Sequence, residues 1–137
     1  MIHRILQPDG WARPRGYSNG IAAMGRQVHV AGQIGWDAVG ALVSSDLVAQ
    51  VRQALHNVVT VLACDGARPE HIVRLNWYMT DRTAYLAAGK ALGDVYREVI
   101  GHHYPAMSAV QVVSLMEPGA LVEIEATAIV PTESSEP

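Results

Sequence analysis

The sequence contains a single cysteine, Cys64, among 137 residues. One thiol excludes a disulfide within the chain and suits a reducing cytoplasm. Cys64 lies near the end of a helical pattern, where a free cysteine usually behaves as a small hydrophobic residue. We therefore predict a buried Cys64 side chain in preference to a reactive thiol.

Charge is scarce as well: 17% of the residues are charged, the formal net charge is −3, and Lys plus Arg number 10. No basic run occurs, whereas a nucleic-acid-binding surface normally requires clustered basic side chains. The composition therefore argues against a nucleic-acid partner.

Long apolar segments are absent, since no stretch approaches the roughly 20 residues that cross a bilayer. The first residues, Met1 to Arg4, lack the apolar core of a secretion signal. These absences predict a cytoplasmic protein without a membrane partner.

Motifs for nucleotide cofactors and serine hydrolases are missing too, because no GxGxxG, P-loop or nucleophile-elbow pattern is present. The adjacent pair His102 and His103 precedes Tyr104 on an extended segment, so the two rings point in different directions. No third ligand accompanies them at metal-binding spacing. We expect neither a metal nor a cofactor.

Hydrophobic residues, by contrast, make up half of the chain, and its length is that of one compact domain. We assign residues 1–130 to that domain and residues 131–137, which are polar and bounded by prolines, to a flexible tail. The apolar excess is consistent with burial of surface between subunits.

Hydrophobic periodicity predicts two helices. The first begins after the N-cap candidate Asp46 and stops at Gly66. The second begins near Asp81 or Thr83 and runs to residue 101. It contains two glycines, at positions 89 and 93, which would permit close packing on a sheet.

Alternation of apolar and polar residues predicts a half-buried strand over 73–80, between the helices. Further strands are predicted over 20–24, 27–33, 107–115 and 121–130, with a short one possible over 3–6. The order is β-β-α-β-α-β-β. It predicts an α+β domain with two helices packed on one face of a mixed β-sheet.

The last strand offers the clearest chemistry. A period of two places Glu123 and Glu125 on one face and Val122, Ile124 and Ala126 on the other. A carboxylate in a partly dry cleft can have its pKa raised toward neutrality and can then deprotonate a water. The alternative is that both glutamates only solvate an exposed strand face.

Several segments occur in the order typical of one family of small proteins. They are Gly16-Tyr17-Ser18, Ala31-Gly32-Gln33-Ile34-Gly35, Gln50 through Asn57, Trp77-Tyr78-Met79-Thr80-Asp81, Tyr104-Pro105-Ala106-Met107-Ser108-Ala109-Val110, and Val122-Glu123-Ile124-Glu125-Ala126. Together they make the chain resemble the RidA (YjgF) family of enamine/imine deaminases over nearly its whole length. The resemblance implies a YjgF/chorismate-mutase-like fold and a homotrimer whose sheets form a central barrel, with a small-molecule cleft at each subunit interface.

The resemblance also implies site residues. In the family, the glutamate at the position of Glu123 holds the attacking water, a tyrosine at the position of Tyr17 closes over the ligand, and the backbone at Gly32 approaches it. Three positions depart from the pattern. Ala31 replaces a serine, Met107 replaces the arginine that grips the substrate carboxylate, and Ala109 stands where some members have cysteine.

Met107 is the most consequential departure, because a thioether cannot replace the bidentate fork of arginine. Three cations remain as candidates to replace it, with solvated surface positions as the alternative reading: Arg13, Arg15 and Arg82. Packing at a subunit seam is likewise the alternative for Tyr17, and plain packing is the alternative for two candidate pocket walls, Trp11 and Trp36. We expect Trp77 to lie in the core.

The sequence thus leaves two functions open. The first is hydrolytic deamination of a reactive imine, enamine or related catabolic intermediate other than the usual small 2-imino acids. Glu123 would handle the water, and Tyr17, Ala31, Gly32, Met107 and Ala109 would shape the pocket. The second is a trimer that binds a small metabolite or a protein partner without turnover.

Overall fold

The computed structural model describes residues 2–132; residues 133–137 of the predicted tail lie outside the described part. Six strands and three helices occur there in the order β1 (Arg4–Leu6), β2 (Gly20–Ala22), β3 (Arg26–Gln33), α1 (Leu47–Ala63), β4 (Ile72–Met79), α2 (Arg82–Ala87), α3 (Gly89–Val99), β5 (Ala106–Gln111) and β6 (Val122–Val130).

The main sheet has four strands in the order β3-β6-β4-β5, and β1 and β2 form a separate antiparallel pair. β4 and β5 are parallel, whereas β6 is antiparallel to both of its neighbours. The sheet is therefore mixed. α1 contacts β3, β6 and α3, so the long helices cover one face of the sheet. The predicted α+β architecture is confirmed.

Local signals set the limits of α1. The Asp46 carboxylate accepts a hydrogen bond from the backbone N–H of Ala49 at 3.0 Å, which caps the helix. Past its last turn, Gly66 has φ +73°, a conformation that disfavours side chains. The apolar stripe of the helix is fully buried, at Val51, Leu55, Val58 and Leu62.

Cys64 is exposed, so the prediction of a buried thiol was wrong. The buried stripe of α1 ends at Leu62. Two residues further on, a side chain has rotated by about 200° around the helix axis and points away from the core. Cys64 is the C-cap residue, where the chain is already leaving the helix.

The second predicted helix is two helices, which corrects the expectation of one continuous element. Asp81 caps α2 through the Ala84 backbone N–H, and the break falls at Ala88 (φ −90°, ψ 10°), directly before Gly89. Glycine in a helix interior is costly, which favours a break at this point. The expected close packing is also absent at Gly89, where an added Cβ would meet nothing within 4 Å.

The sheet has two unlike faces. On the covered face, alternate residues of β4 and β6 are buried in the core, among them Leu75, Trp77 and Met79 of β4. The opposite face carries Asn76, Tyr78, Glu123, Glu125 and Thr127, all half-buried, and we call it the open face. No helix among residues 2–132 covers it.

Strand β5 is shorter than predicted, since it ends at Gln111 and not at residue 115. Its partner β4 ends at Met79, which is in register with Gln111. Beyond this point only the Val112 backbone N–H still bonds the Met79 carbonyl, at 2.8 Å. A strand needs a partner for its backbone groups, so the chain turns away.

Candidate functional site

Glu123 lies on the open face against a bulge in β3. The pairing of β3 with β6 shifts register between Val30 and Gln33, so Ala31 and Gly32 together oppose one residue of β6, Glu125, which is two positions from Glu123. Such bulges often occur next to functional sites. A Cβ at Gly32 would lie 2.3 Å from Oε2 of Glu123. Only glycine leaves the carboxylate in its present position.

The two glutamates of β6 have different surroundings. Glu125 Oε1 accepts hydrogen bonds from Asn76 Nδ2 at 2.9 Å and from the Tyr78 hydroxyl at 2.8 Å. The bond to Glu125 raises the pKa of Tyr78. By contrast, no donor within residues 2–132 is hydrogen-bonded to the Glu123 carboxylate. Glu123 is therefore the carboxylate left available to a water or a ligand.

Three other predicted site residues line a cavity of about 430 Å³ on the helix-covered side of the sheet: Tyr17, Met107 and Ala109. Met107 and Ala109 are in register with Leu75 and Trp77 of β4, whose side chains face the core. We call this space the helix-side cavity. Its further lining includes Arg15, Trp77, Tyr85, Leu86, Leu92 and Tyr96.

The loop that carries Tyr17 is fastened to the start of β5. The Ser18 backbone N–H donates to the Pro105 carbonyl at 3.0 Å, and the Ser18 hydroxyl donates to the carbonyl of Tyr104. Gly16 has φ +78°, which lets the chain turn ahead of Tyr17. These contacts hold Tyr17, 41% exposed, beside Met107 at the mouth of the cavity.

The tyrosine hydroxyls inside the cavity are not suited to act as bases. Burial raises the pKa of Tyr85, and burial together with the nearby Tyr104 raises that of Tyr96. The Tyr96 hydroxyl donates to the His103 carbonyl at 2.5 Å. Both groups stay protonated at neutral pH. Within this cavity they contribute ring surface.

Within one chain the predicted site residues form two groups. Tyr17, Met107 and Ala109 lie at the helix-side cavity, while Gly32 and Glu123 lie on the open face near the other edge of the sheet. Ala31 lines a second cavity of about 450 Å³ on the open face, together with Arg74, Asn76 and Glu125. The sheet itself separates the two groups.

The structure also shows where the candidate arginines and tryptophans lie relative to the helix-side cavity. Of the three cations proposed to replace the missing arginine, Arg15 lines the helix-side cavity, whereas Arg13 and Arg82 do not. Trp11 is 64% exposed, and Trp36 lines a separate cavity of about 170 Å³. Neither tryptophan is a wall of the helix-side cavity.

Most of the cavity wall was not among the predicted site residues. The sequence predicted a helix over the segment that contains Tyr85 and Tyr96, but not the place of these two rings in a cavity. Trp77 is 5% exposed and lies in the core as predicted, yet it also lines the cavity. The available signal was the pair Gly89 and Gly93, because two helix positions without side chains leave space on the face that they share.

Histidines do not assemble into a metal site: His103 Nε2 lies 2.7 Å from the Ile72 carbonyl oxygen. In the described part of the chain, no group of three or more His, Cys, Asp or Glu is arranged to hold a metal ion. No helix there is long and apolar enough to span a bilayer.

The mixed sheet, its helix-covered face and the bulge beside Glu123 define a small α+β domain of the YjgF type. Residues 11–130 match the family model described as Endoribonuclease L-PSP. The chain belongs to this family, the Rid (YjgF) proteins.

Individual relatives agree with this assignment. The YyfB protein of the Rid family from Yersinia pestis has a structure that is similar to this chain, with a TM-score of 0.84, 37% identity and coverage of 95% of this chain and 100% of that one. The YjgF gene product of E. coli matches with a TM-score of 0.65 and 28% identity, covering 82% and 87% of the two chains. The 2-iminobutanoate/2-iminopropanoate deaminase of Capra hircus is 32% identical over 130 residues, which are 94% of this chain and 91% of the relative.

Proposed function

We propose that this protein is a hydrolytic deaminase of a reactive imine or enamine, or of a related small catabolic intermediate, other than the usual small 2-imino acids. The observation that carries the proposal is the contrast between the two glutamates. Glu125 is held by Asn76 and Tyr78, while the Glu123 carboxylate faces Gly32 without a donor from residues 2–132. The relatives that are named as imine deaminases support the reaction class.

In the proposed reaction, a Glu123 carboxylate oxygen accepts a proton from water while the water oxygen bonds to the imine carbon. The carbon–nitrogen π bond breaks, and the nitrogen takes up the proton that Glu123 removed from the water. The resulting carbinolamine then passes its hydroxyl proton to the nitrogen through Glu123 and loses ammonia as the carbonyl forms. One imine and one water give one carbonyl compound and one ammonia, and Glu123 returns to its starting state.

The choice of substrate follows from Met107. A guanidinium at this position would bind a carboxylate in a bidentate manner, whereas a methionine offers only apolar, polarisable surface. Met107 is half-buried beside Tyr17 and Ala109. The cavity therefore favours a larger or less charged substrate than 2-iminopropanoate.

The site is proposed to be completed between the subunits of a homotrimer whose sheets form a central barrel. Glu123 of one subunit would meet the helix-side cavity of the next. Their separation within one chain supports this arrangement. The outer edges of β3 and β5, where the four-stranded sheet has no further strand, support it as well. Val110, Val113 and Met116, all exposed near the end of β5, provide apolar surface for such contacts. A cytoplasmic location is part of the same proposal.

The test is a decay assay of imines that an amino acid oxidase produces in situ from alanine and from leucine. We expect the protein to accelerate decay of the leucine-derived imine, and Glu123→Gln to lower that rate by roughly 10²- to 10⁴-fold, the usual contribution of a general base. Glu125→Gln is the matched control and should retain the activity within about tenfold, because Glu125 is already engaged by two donors.

Met107→Arg should gain activity toward the alanine-derived imine, because it supplies a carboxylate-binding group. Unchanged turnover in Glu123→Gln would sink the proposed mechanism. Ligand-dependent melting without conversion of any imine would instead favour a metabolite-binding trimer without enzymatic activity.

A further inference from the structure

The helix-side cavity extends well past the predicted site residues. Beyond Met107 and Ala109 its walls are the rings of Trp77, Tyr85 and Tyr96. The Trp77 and Tyr85 ring centroids lie 6.4 Å apart with the planes at 68°, and those of Trp77 and Tyr96 are also 6.4 Å apart. A small imino acid would occupy only a part of this space of about 430 Å³.

The space exists because two positions on α3 lack side chains. A Cβ at Gly89 would meet no atom within 4 Å, and a Cβ at Gly93 would meet only the guanidinium of Arg97, at 3.3 Å. Gly89 is not in a left-handed conformation. Its backbone therefore accepts any L-residue, and the missing side chain leaves room for a ligand.

One hydrogen-bond donor of the residues that line the cavity has no acceptor. The indole N–H of Trp77 is buried and has no acceptor within residues 2–132. An unsatisfied buried donor is uncommon in folded proteins. The same burial keeps this N–H out of reach of a ligand in the cavity, so Trp77 contributes the surface of its ring. Ring surface favours an aromatic ligand, because two rings can pack edge to face or offset.

The mouth of the cavity contains a cation. Arg15 lines it beside Tyr17 and Gly16, and it forms no ion pair with any acidic residue of the described chain. Arg13, two residues earlier, is exposed and does not line the cavity. An anionic group of a ligand whose ring enters the cavity would lie near Arg15.

We infer that the helix-side cavity takes the side chain of an aryl-substituted 2-imino acid, with the ring among Trp77, Tyr85 and Tyr96 and the carboxylate at Arg15. This inference rests on the proposed function, because it names the substrate class of the same site. Arg15 then replaces, from a different segment of the chain, the carboxylate contact that Met107 cannot make.

Binding is tested apart from turnover with three stable probes, by calorimetry on the assembled protein. 3-Phenylpropanoate carries ring and charge, propanoate lacks the ring, and 3-phenylpropanamide lacks the charge. We expect 3-phenylpropanoate to bind at least about tenfold more tightly than either of the other two, since a buried ring and a paired carboxylate each contribute on that order. Equal affinities in the wild-type protein would overturn the inference without any variant.

Matched variants locate the two contacts. Gly89→Leu should fill the cavity and abolish the preference for 3-phenylpropanoate over propanoate, whereas Ala91→Leu, an exposed position on the same helix, should retain it. Arg15→Gln should abolish the preference for the carboxylate over the amide, whereas Arg13→Gln should retain it. A ring preference that survives Gly89→Leu, or a charge preference that survives Arg15→Gln, contradicts the inference.

Turnover separates this inference from the proposed function. If the probes bind as expected and the phenylalanine-derived imine is not hydrolysed, the cavity is correctly assigned and the deaminase proposal fails. If the leucine- and phenylalanine-derived imines are hydrolysed equally well and the probes show no ring preference, the deaminase proposal stands and the aromatic substrate class fails.

Discussion

At the scale of single residues, Gly32 and Glu123 form the most constrained pair of the candidate site. A side chain at position 32 would collide with the Glu123 carboxylate, so glycine is needed there for space. Its backbone conformation does not require glycine. The position of the Glu123 carboxylate therefore depends on a residue that carries no functional group.

Gly32→Ala should accordingly impair turnover while the fold persists. Its Cβ would come within 2.3 Å of Oε2 of Glu123, so the carboxylate must move aside. We expect a fall in kcat of roughly 10²-fold, on the scale of a misplaced catalytic group, with a melting temperature close to that of the wild type. Full wild-type activity in Gly32→Ala would show that the carboxylate position is unimportant.

His71 is a second residue whose surroundings set its chemistry. It is 5% exposed, and its Nδ1 accepts a hydrogen bond from the Arg68 backbone N–H at 2.9 Å. Burial and, to a lesser degree, Arg68 lower the pKa of His71. The folded protein therefore holds the ring neutral at a pH where the unfolded chain already protonates it.

The free energy of unfolding should consequently decrease as the pH falls below about 6.5, the ordinary pKa of histidine, because the unfolded state then binds the extra proton. Above that pH, His71 should make no contribution to the change of the free energy of unfolding with pH. Urea titrations between pH 5 and 8 measure this, with His71→Asn as the control, since the Asn side-chain oxygen can accept the same bond and does not titrate. A slope that is identical in both proteins would assign the pH dependence to other groups.

At the scale of elements, Gln50 joins α1 to the segments that precede α1 and β6. Its Nε2 donates to the carbonyls of Ser44 at 2.9 Å and Gly119 at 3.0 Å, and its Oε1 accepts from the Leu121 backbone N–H at 2.8 Å. The side chain is fully buried. It thereby fixes the start of β6, and so the register of Glu123, against the helix.

Gln50→Leu should destabilise the protein by about 2–4 kcal/mol, because three backbone groups at part-buried hydrogen bonds lose their partner. Gln53→Leu, on the same helix and half-buried, loses a single bond to Asn57 and should cost less than about 1 kcal/mol. Chemical denaturation of both variants compares the two values. Equal costs would mean that the bonds of Gln50 do not join these elements.

Whereas Gln50 holds elements together, the break between α2 and α3 opens space between them. The hydrophobic periodicity predicted a single helix from near Asp81 or Thr83 to residue 101. Ala88 leaves helical geometry instead, and Gly89 presents no side chain to the cavity. The same glycine that weakens the helix thus creates the volume in which we place a ligand.

At the scale of the whole molecule, the open face and the free edge of β5 determine the expected assembly. We expect a mass in sedimentation equilibrium of three times the chain mass of 14.8 kDa. Val110 is 48% exposed on β5, in register with Tyr78 of the open face. Val110→Lys should therefore dissociate the assembly and abolish turnover together.

Val39→Lys is the matched control, since Val39 is 87% exposed in a loop away from the sheet. It should change neither the mass nor the turnover. A monomeric wild-type protein, or a dissociated Val110→Lys that remains fully active, would rule out a site completed between subunits.

The sequence by itself determined the order of the strands, the first helix, the α+β class and the two faces of β6. These depend on contacts near in sequence: the period of apolar residues, the Asp46 cap and the stops at glycines. It also predicted that Glu123 and Glu125 share a face. It did not distinguish them, because the donors Asn76 and Tyr78 come from a strand more than 40 residues away.

Only the tertiary structure decided where the predicted site residues lie relative to one another. Met107 and Glu123 belong to one motif-rich region of the sequence, yet they lie on opposite faces of the sheet. The register decides this, because Met107 is paired with Leu75 of the covered face and Glu123 with Tyr78 of the open face. The cavity around Trp77, the break at Ala88 and the position of Arg15 likewise arise from packing between distant segments. Periodicity describes one element at a time, so it contains no information about the space between elements.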